Sequence, residues 1–195
     1  MFSTELANNI TTVDAGGRIP AGIHEDVVIS NVKMETSPNG NSFIAFTFEK
    51  NGATVTQTEW EPKKWPDMTD ERFQETCTKQ VKHILQILEC YYPKESLVFS
   101  GETYKEFATW VKTLMDNADL SKKLRVKFVY KNNGYVELPK YCMYKFIEPM
   151  TISKEDSKIK ELSIDNFTKP VVADKETVVT NPFDTTTNNG SDLPF

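Results

Sequence analysis

Ser42-Phe43-Ile44-Ala45-Phe46-Thr47-Phe48-Glu49-Lys50-Asn51-Gly52-Ala53-Thr54-Val55-Thr56-Gln57-Thr58-Glu59-Trp60 is the stretch on which the fold turns. Over residues 42–49, Ile44, Phe46 and Phe48 alternate with other side chains, the period-2 pattern of a strand with one buried face. Asn51-Gly52 comes next, and both residue types tolerate the left-handed backbone that a two-residue hairpin loop demands. Residues 53–60 then resume in a run rich in Thr and Val, which suits a pleated, half-buried surface. Local chemistry alone therefore specifies a hairpin.

Working outward, residues 24–36 alternate Val27, Ile29 and Asn31 with Val28, Ser30 and Val32, which predicts a partly buried strand. Ser37-Pro38-Asn39-Gly40-Asn41 turns the chain, with Gly40 able to supply a positive φ. The three strands make a meander, preceded by a polar arm over residues 1–22 that Gly16, Gly17, Pro20 and Gly22 punctuate. Downstream, Pro62 and Pro66 break the pattern, and Thr69 or Asp70 caps a helix running to about Tyr91. Cys77, Val81, Ile84, Leu85 and Leu88 form its apolar stripe, and Pro93 stops it. A second helix over residues 103–115 aligns Tyr104, Phe107, Val111 and Leu114.

Strands return with Leu124, Val126, Phe128 and Tyr130, turn at Asn132-Asn133-Gly134, and continue over residues 135–138 and, past Pro139, over 141–147. Residues 151–165 have room for a short helix, and from Asn166 the composition is that of a tail. The expected fold class is mainly β with a helical insertion (α+β), in the order β-β-β-α-α-β-β. The expected organisation is an arm over 1–22, a domain over 23–150 and a flexible acidic tail over 151–195. The order of elements over 23–150 resembles an OB-fold, the five-stranded Greek-key barrel used for oligonucleotides. An α+β domain with an open sheet fits the same elements.

The chain has 195 residues and a net charge of −5. Residues 151–195 hold five lysines against eight carboxylates, so the body is nearly neutral. A nucleic-acid partner must then be held by a local cluster and by stacking, not by global charge. No run is apolar enough to span a bilayer, and residues 1–20 lack the features of a secretory signal. The three cysteines, Cys77, Cys90 and Cys142, show no paired spacing, which suits reduced thiols and a cytoplasmic location. Cys77, His83 and Cys90 do not match zinc-ligand spacing, and no phosphate loop, nucleophile elbow or acidic metal motif is present. The expectation is a non-enzymatic protein without metal or cofactor.

Two segments interleave cations with aromatic rings, the combination that grips a single strand by phosphate and base face together. In Trp60-Glu61-Pro62-Lys63-Lys64-Trp65, two rings flank two lysines. The second segment sets Arg125, Lys127 and Lys131 on one strand parity, near Tyr135, Lys140, Tyr141 and Tyr144. If Leu124, Val126 and Phe128 face the core, those three cations form a basic stripe on the outer sheet. Lys33 joins these candidates. The competing roles are closure of the barrel end by Trp60 and Trp65, and plain solvation of the basic face.

The sequence closes with Ser191-Asp192-Leu193-Pro194-Phe195. An exposed Phe gains free energy only when something buries it, so this reads as a docking peptide, with Asp192 meeting basic groups at a pocket rim. Asp192, Leu193, Pro194 and Phe195 resemble the acidic tail tip of bacterial and phage single-stranded DNA-binding proteins. That resemblance implies sequence-tolerant binding of single-stranded DNA in replication, recombination and repair, with the tip recruiting a polymerase, helicase or recombinase. The alternative is an adaptor or structural phage protein whose β domain and tail dock other proteins.

Overall fold

The computed structural model describes residues 17–170. Asn51 and Gly52 both take positive φ, 51° and 81°, the geometry whose twist matches that of paired strands. This loop joins β2 (Ser42–Lys50) to β3 (Ala53–Trp60) in unbroken register, from Lys50 opposite Ala53 to Phe43 opposite Trp60. β1 (Gly22–Thr36) is long enough to serve two neighbours. Residues 28–36 pair with β2, whereas 22–27 pair with β4 (Leu124–Tyr130). The register slips between His24 and Val27, where Asp26 has φ 58°, and again between Ile29 and Asn31. Bulges of this kind bend a strand and raise its twist.

On its far edge β4 pairs with β5 (Val136–Glu137) and with β6 (Ile147–Pro149). The six strands follow the order β3-β2-β1-β4-β5, with β6 beside β4. The two sequence-expected strands after the Asn132-Asn133-Gly134 turn are thus short, and residues 138–146 connect them without regular pairing. Between β3 and β4 lie α1 (Asp70–Leu88), a turn of 3₁₀ helix (Lys94–Ser96) and α2 (Tyr104–Asp116). Thr69 caps α1 by accepting from the Arg72 amide. Thr103 and Glu106 form a reciprocal capping box on α2. The architecture is α+β: a mainly antiparallel sheet with two helices.

The core lies between the inner sheet face and the helices. Phe46, Phe48, Phe128 and Phe146 meet Ile84, Ile87 and Leu88 of α1 and Phe107, Val111 and Met115 of α2. None of the described helices is long and apolar enough to cross a membrane.

The expected tail boundary at residue 150 is corrected here. Residues 150–166 form no helix; they run as an irregular strap across the outer side of β4. Its ends are tied by backbone bonds, Met150 N to Lys123 O at 3.0 Å and Tyr130 N to Asn166 O at 2.8 Å, and Ile159 is buried between them. Under the strap the Lys127 side chain is fully buried. Its ammonium donates to Asp165 Oδ2 at 2.7 Å, to the Tyr141 hydroxyl at 2.7 Å and to the Lys160 carbonyl, so each of its three donors is used. The Tyr141 hydroxyl in turn donates to the other Asp165 oxygen at 2.8 Å.

The Asp165 carboxyl would be raised by burial, but Lys127, the Leu162 amide and Tyr141 hold it below the ordinary range. Asp165→Asn is therefore expected to strand a buried ammonium and destabilise the protein by about 3–5 kcal/mol in urea unfolding. A depressed carboxyl stabilises in full above its unfolded value, roughly pH 4. The wild-type stability should fall as pH drops through the lower folded value, and less steeply in the variant.

Candidate functional site

Residues directly opposite one another in an antiparallel sheet point to the same face. With Val32, Ile44, Phe46, Phe48 and Val55 in the core, the opposite parity of β1, β2 and β3 faces outward. The register sets Glu35, Phe43 and Trp60 in one row, Lys33, Ala45 and Thr58 in the next, and Asn31, Thr47 and Thr56 in a third. Trp60 is 47 % exposed and its ring lies 4.5 Å from that of Phe43, tilted by 46°. The Thr47 and Thr56 hydroxyls are 3.3 Å apart. The face is aromatic at one end, carries Glu35, Lys33 and Glu49 along its rows, and presents threonines between them.

At its other end Arg18 forms a parallel bridge with Thr54, and its guanidinium sits 5.0 Å from the centre of the Tyr135 ring. Arg18, Thr54, Val55, Thr56, Tyr135 and Val136 line a shallow groove of about 320 Å³. From Thr54 to Trp60 the strand covers about 20 Å at roughly 3.3 Å per residue.

What holds this face in place lies beneath it. Glu59 points inward from β3, with Oε1 3.1 Å from His83 Nδ1 in α1. The other His83 nitrogen is 2.8 Å from the Pro139 carbonyl, and the ring stacks on Phe146 at 4.4 Å. Gln57 donates to Glu59 at 2.8 Å and accepts from the Leu138 amide at 3.0 Å, tying β3 to the end of β5. Gln80 of α1 donates to the Trp60 carbonyl at 2.7 Å, and the Tyr104 hydroxyl of α2 donates to the Glu59 carbonyl. Both helices thus grip the backbone from which Trp60 projects. Burial would raise the Glu59 carboxyl, but His83, Gln57 and Gln80 outweigh it and hold the group below the ordinary range.

Three of the sequence-predicted residues, Lys33, Trp60 and Tyr135, lie along this side, Tyr135 at the end opposite Trp60. Lys33 lies 3.9 Å from Glu35, both well exposed. Beyond β3, Trp65 is more exposed than Trp60, Lys64 is ion-paired with Asp70, and Lys63 has no carboxylate within 4 Å among the described residues. Lys131 and Lys140 both engage Glu137, at 2.8 and 3.7 Å. Tyr144 is half-exposed and packs edge-on to Tyr141, on a connection whose carbonyls at Cys142 and Tyr144 accept from Gln86.

The expected basic stripe is not an open surface. Arg125, 4 % exposed, gives its guanidinium to Glu148 at 2.5 Å and Glu25 at 3.2 Å. Lys127 and Tyr141 are committed under the strap. The strand parity was as expected; the cover is what removes them from solvent. Asp192, Leu193, Pro194 and Phe195 lie outside the described residues. No group of three or more metal-ligating side chains occurs among the described residues; Cys90 is buried against the Gln86 carbonyl.

Sequence reasoning missed Phe43, Arg18 and the threonine row. Phe43 was within reach, because a two-residue loop at Asn51-Gly52 forces it opposite Trp60. No protein-family model matches the chain, and no curated protein matches it.

Glu59→Gln retains shape but removes the charge facing His83. Thermal and urea melts are expected to show a loss of about 1–3 kcal/mol.

Proposed function

We propose that the chain is a non-enzymatic, sequence-tolerant single-stranded DNA-binding protein whose strand-binding face is the outer side of β1, β2 and β3. The observation that carries this reading is Trp60, exposed and paired with Phe43 on a face that also presents Lys33 and, at its far end, Arg18 and Tyr135. A large ring held rigidly in water gains free energy when another π surface covers it. Bases offer such surfaces whatever their identity, and each stack contributes about 1–3 kcal/mol. Threonine hydroxyls between the aromatic ends suit sugars and base edges without imposing a sequence.

The topology supports an OB-like reading. β1 is shared by β2 and β4, the helices are inserted between β3 and β4, and Gln57 links β3 to the residue after β5. Residues 192–195 act, in this proposal, as a tethered docking peptide that raises the local concentration of a polymerase, helicase or recombinase. The three free thiols are compatible with a cytoplasmic setting, that of a bacterial host if the protein is phage-encoded.

With Arg125 and Lys127 engaged internally, few cations remain for phosphate. Titration of a dT oligonucleotide should quench tryptophan fluorescence. Its affinity should fall with salt at a log–log slope of about −2, the value for roughly three phosphate contacts. Trp60→Ala is expected to weaken binding roughly 5- to 150-fold. No binding at low salt would sink the proposal and favour a protein-docking adaptor.

A further inference from the structure

Tyr135 is an exposed ring on a rigid mount. It follows the Asn132-Asn133-Gly134 turn, in which Gly134 has φ 77°. Its backbone is pinned by the Lys131 amide donating to its carbonyl at 2.7 Å and by its own amide donating to Asn133 Oδ1 at 3.3 Å. The ring nevertheless remains 54 % exposed. Arg18 is mounted equally firmly from the other side. The Thr54 amide donates to the Gly17 carbonyl at 2.9 Å, the Ile19 amide donates to the Thr54 carbonyl at 3.4 Å, and Ile19 is buried in the core.

The charge environment sets Arg18 apart from its neighbours. On the adjoining hairpin Lys131 and Lys140 share Glu137, and Arg125 is satisfied by two carboxylates. Arg18 has no carboxylate within 4 Å among the described residues, and its guanidinium lies over a π face. Stacking orients a guanidinium while leaving its N–H edge free to donate. The groove between the two side chains is floored by Thr54 and Thr56. A ligand that satisfies all of this carries both a planar π surface and an anion.

Building on the proposed function, we infer that Arg18 and Tyr135 clamp one nucleotide of the bound strand, the base stacked on Tyr135 and its phosphate on the Arg18 fork. The clamp anchors the strand about 20 Å along β3 from the Trp60 end. Stacking and charge then respond differently to salt, which allows the two halves to be separated.

The test is fluorescence anisotropy of labelled dT12 over a salt series, using full-length wild type, Tyr135→Ala, Tyr135→Phe, Arg18→Ala and Arg18→Lys, with melting curves to confirm folding. Tyr135→Ala should weaken binding roughly 5- to 150-fold at every salt concentration, with the slope unchanged and Tyr135→Phe close to wild type. Arg18→Ala should make the slope shallower by about 0.7, one phosphate contact, and Arg18→Lys should restore it. If either alanine variant behaves as wild type while Trp60→Ala still weakens binding, the clamp is wrong and the strand-binding reading stands. If wild type does not bind dT12 at low salt, that reading falls and the clamp with it.

Discussion

An ammonium group inside a protein must find an oxygen for every proton it carries, and Lys127 imposes that condition on the whole outer side of β4. The desolvation cost of such a charge is several kcal/mol. It is offset by Asp165, the Tyr141 hydroxyl and the Lys160 carbonyl together. Two of those three acceptors lie in the strap, so the strap belongs to the folded domain. Arg125 repeats the arrangement one step along the strand, and its partner Glu148 also accepts from the Lys158 amide. Once this side is closed by charge pairing, the outer side of β1, β2 and β3 is the part of the sheet left facing solvent.

That remaining face is built by a division between side chains and backbone. Its outward groups are neutral or weakly paired, whereas the strand carrying them is held from beneath by Glu59, Gln57, Gln80 and Tyr104. Binding surfaces held within a fraction of an ångström lose less entropy when a ligand arrives. Trp60 and Tyr135 share this property, each an exposed ring on a fixed backbone. The proposed function rests on that combination.

Much of the fold was legible because it was encoded locally. The Asn51-Gly52 loop, the alternation of Ile44, Phe46 and Phe48, and the helix cap at Thr69 or Asp70 each act within a few residues. Their elements appear where the pattern puts them. The parity that placed Arg125 and Lys127 opposite Leu124 and Val126 was also correct. What parity cannot reveal is a cover made of polar contacts from a distant, irregular segment with no periodicity. A stretch such as residues 151–166, rich in Lys, Glu, Asp and Ser, reads as solvated until Asp165 is seen to neutralise Lys127. The candidate face was half legible: Trp60, Lys33 and Tyr135 from composition, but Arg18 only once its bridge to Thr54 was known.

The Asp165 contact has a consequence for how the protein is made. Asp165 follows Lys127 by 38 positions and Glu148 follows Arg125 by 23, so a ribosome delivers Lys127 well before its counter-charge and Arg125 before the second of its two. Until the strap emerges, the Lys127 ammonium lacks its carboxylate, whereas Arg125 already has Glu25 of β1 beside it, and bringing Asp165 to Lys127 requires closing a loop of 38 residues. The lock is therefore among the last parts of the domain to be made. A chain stopped just short of Asp165 has its hydrophobic interior but not its lock.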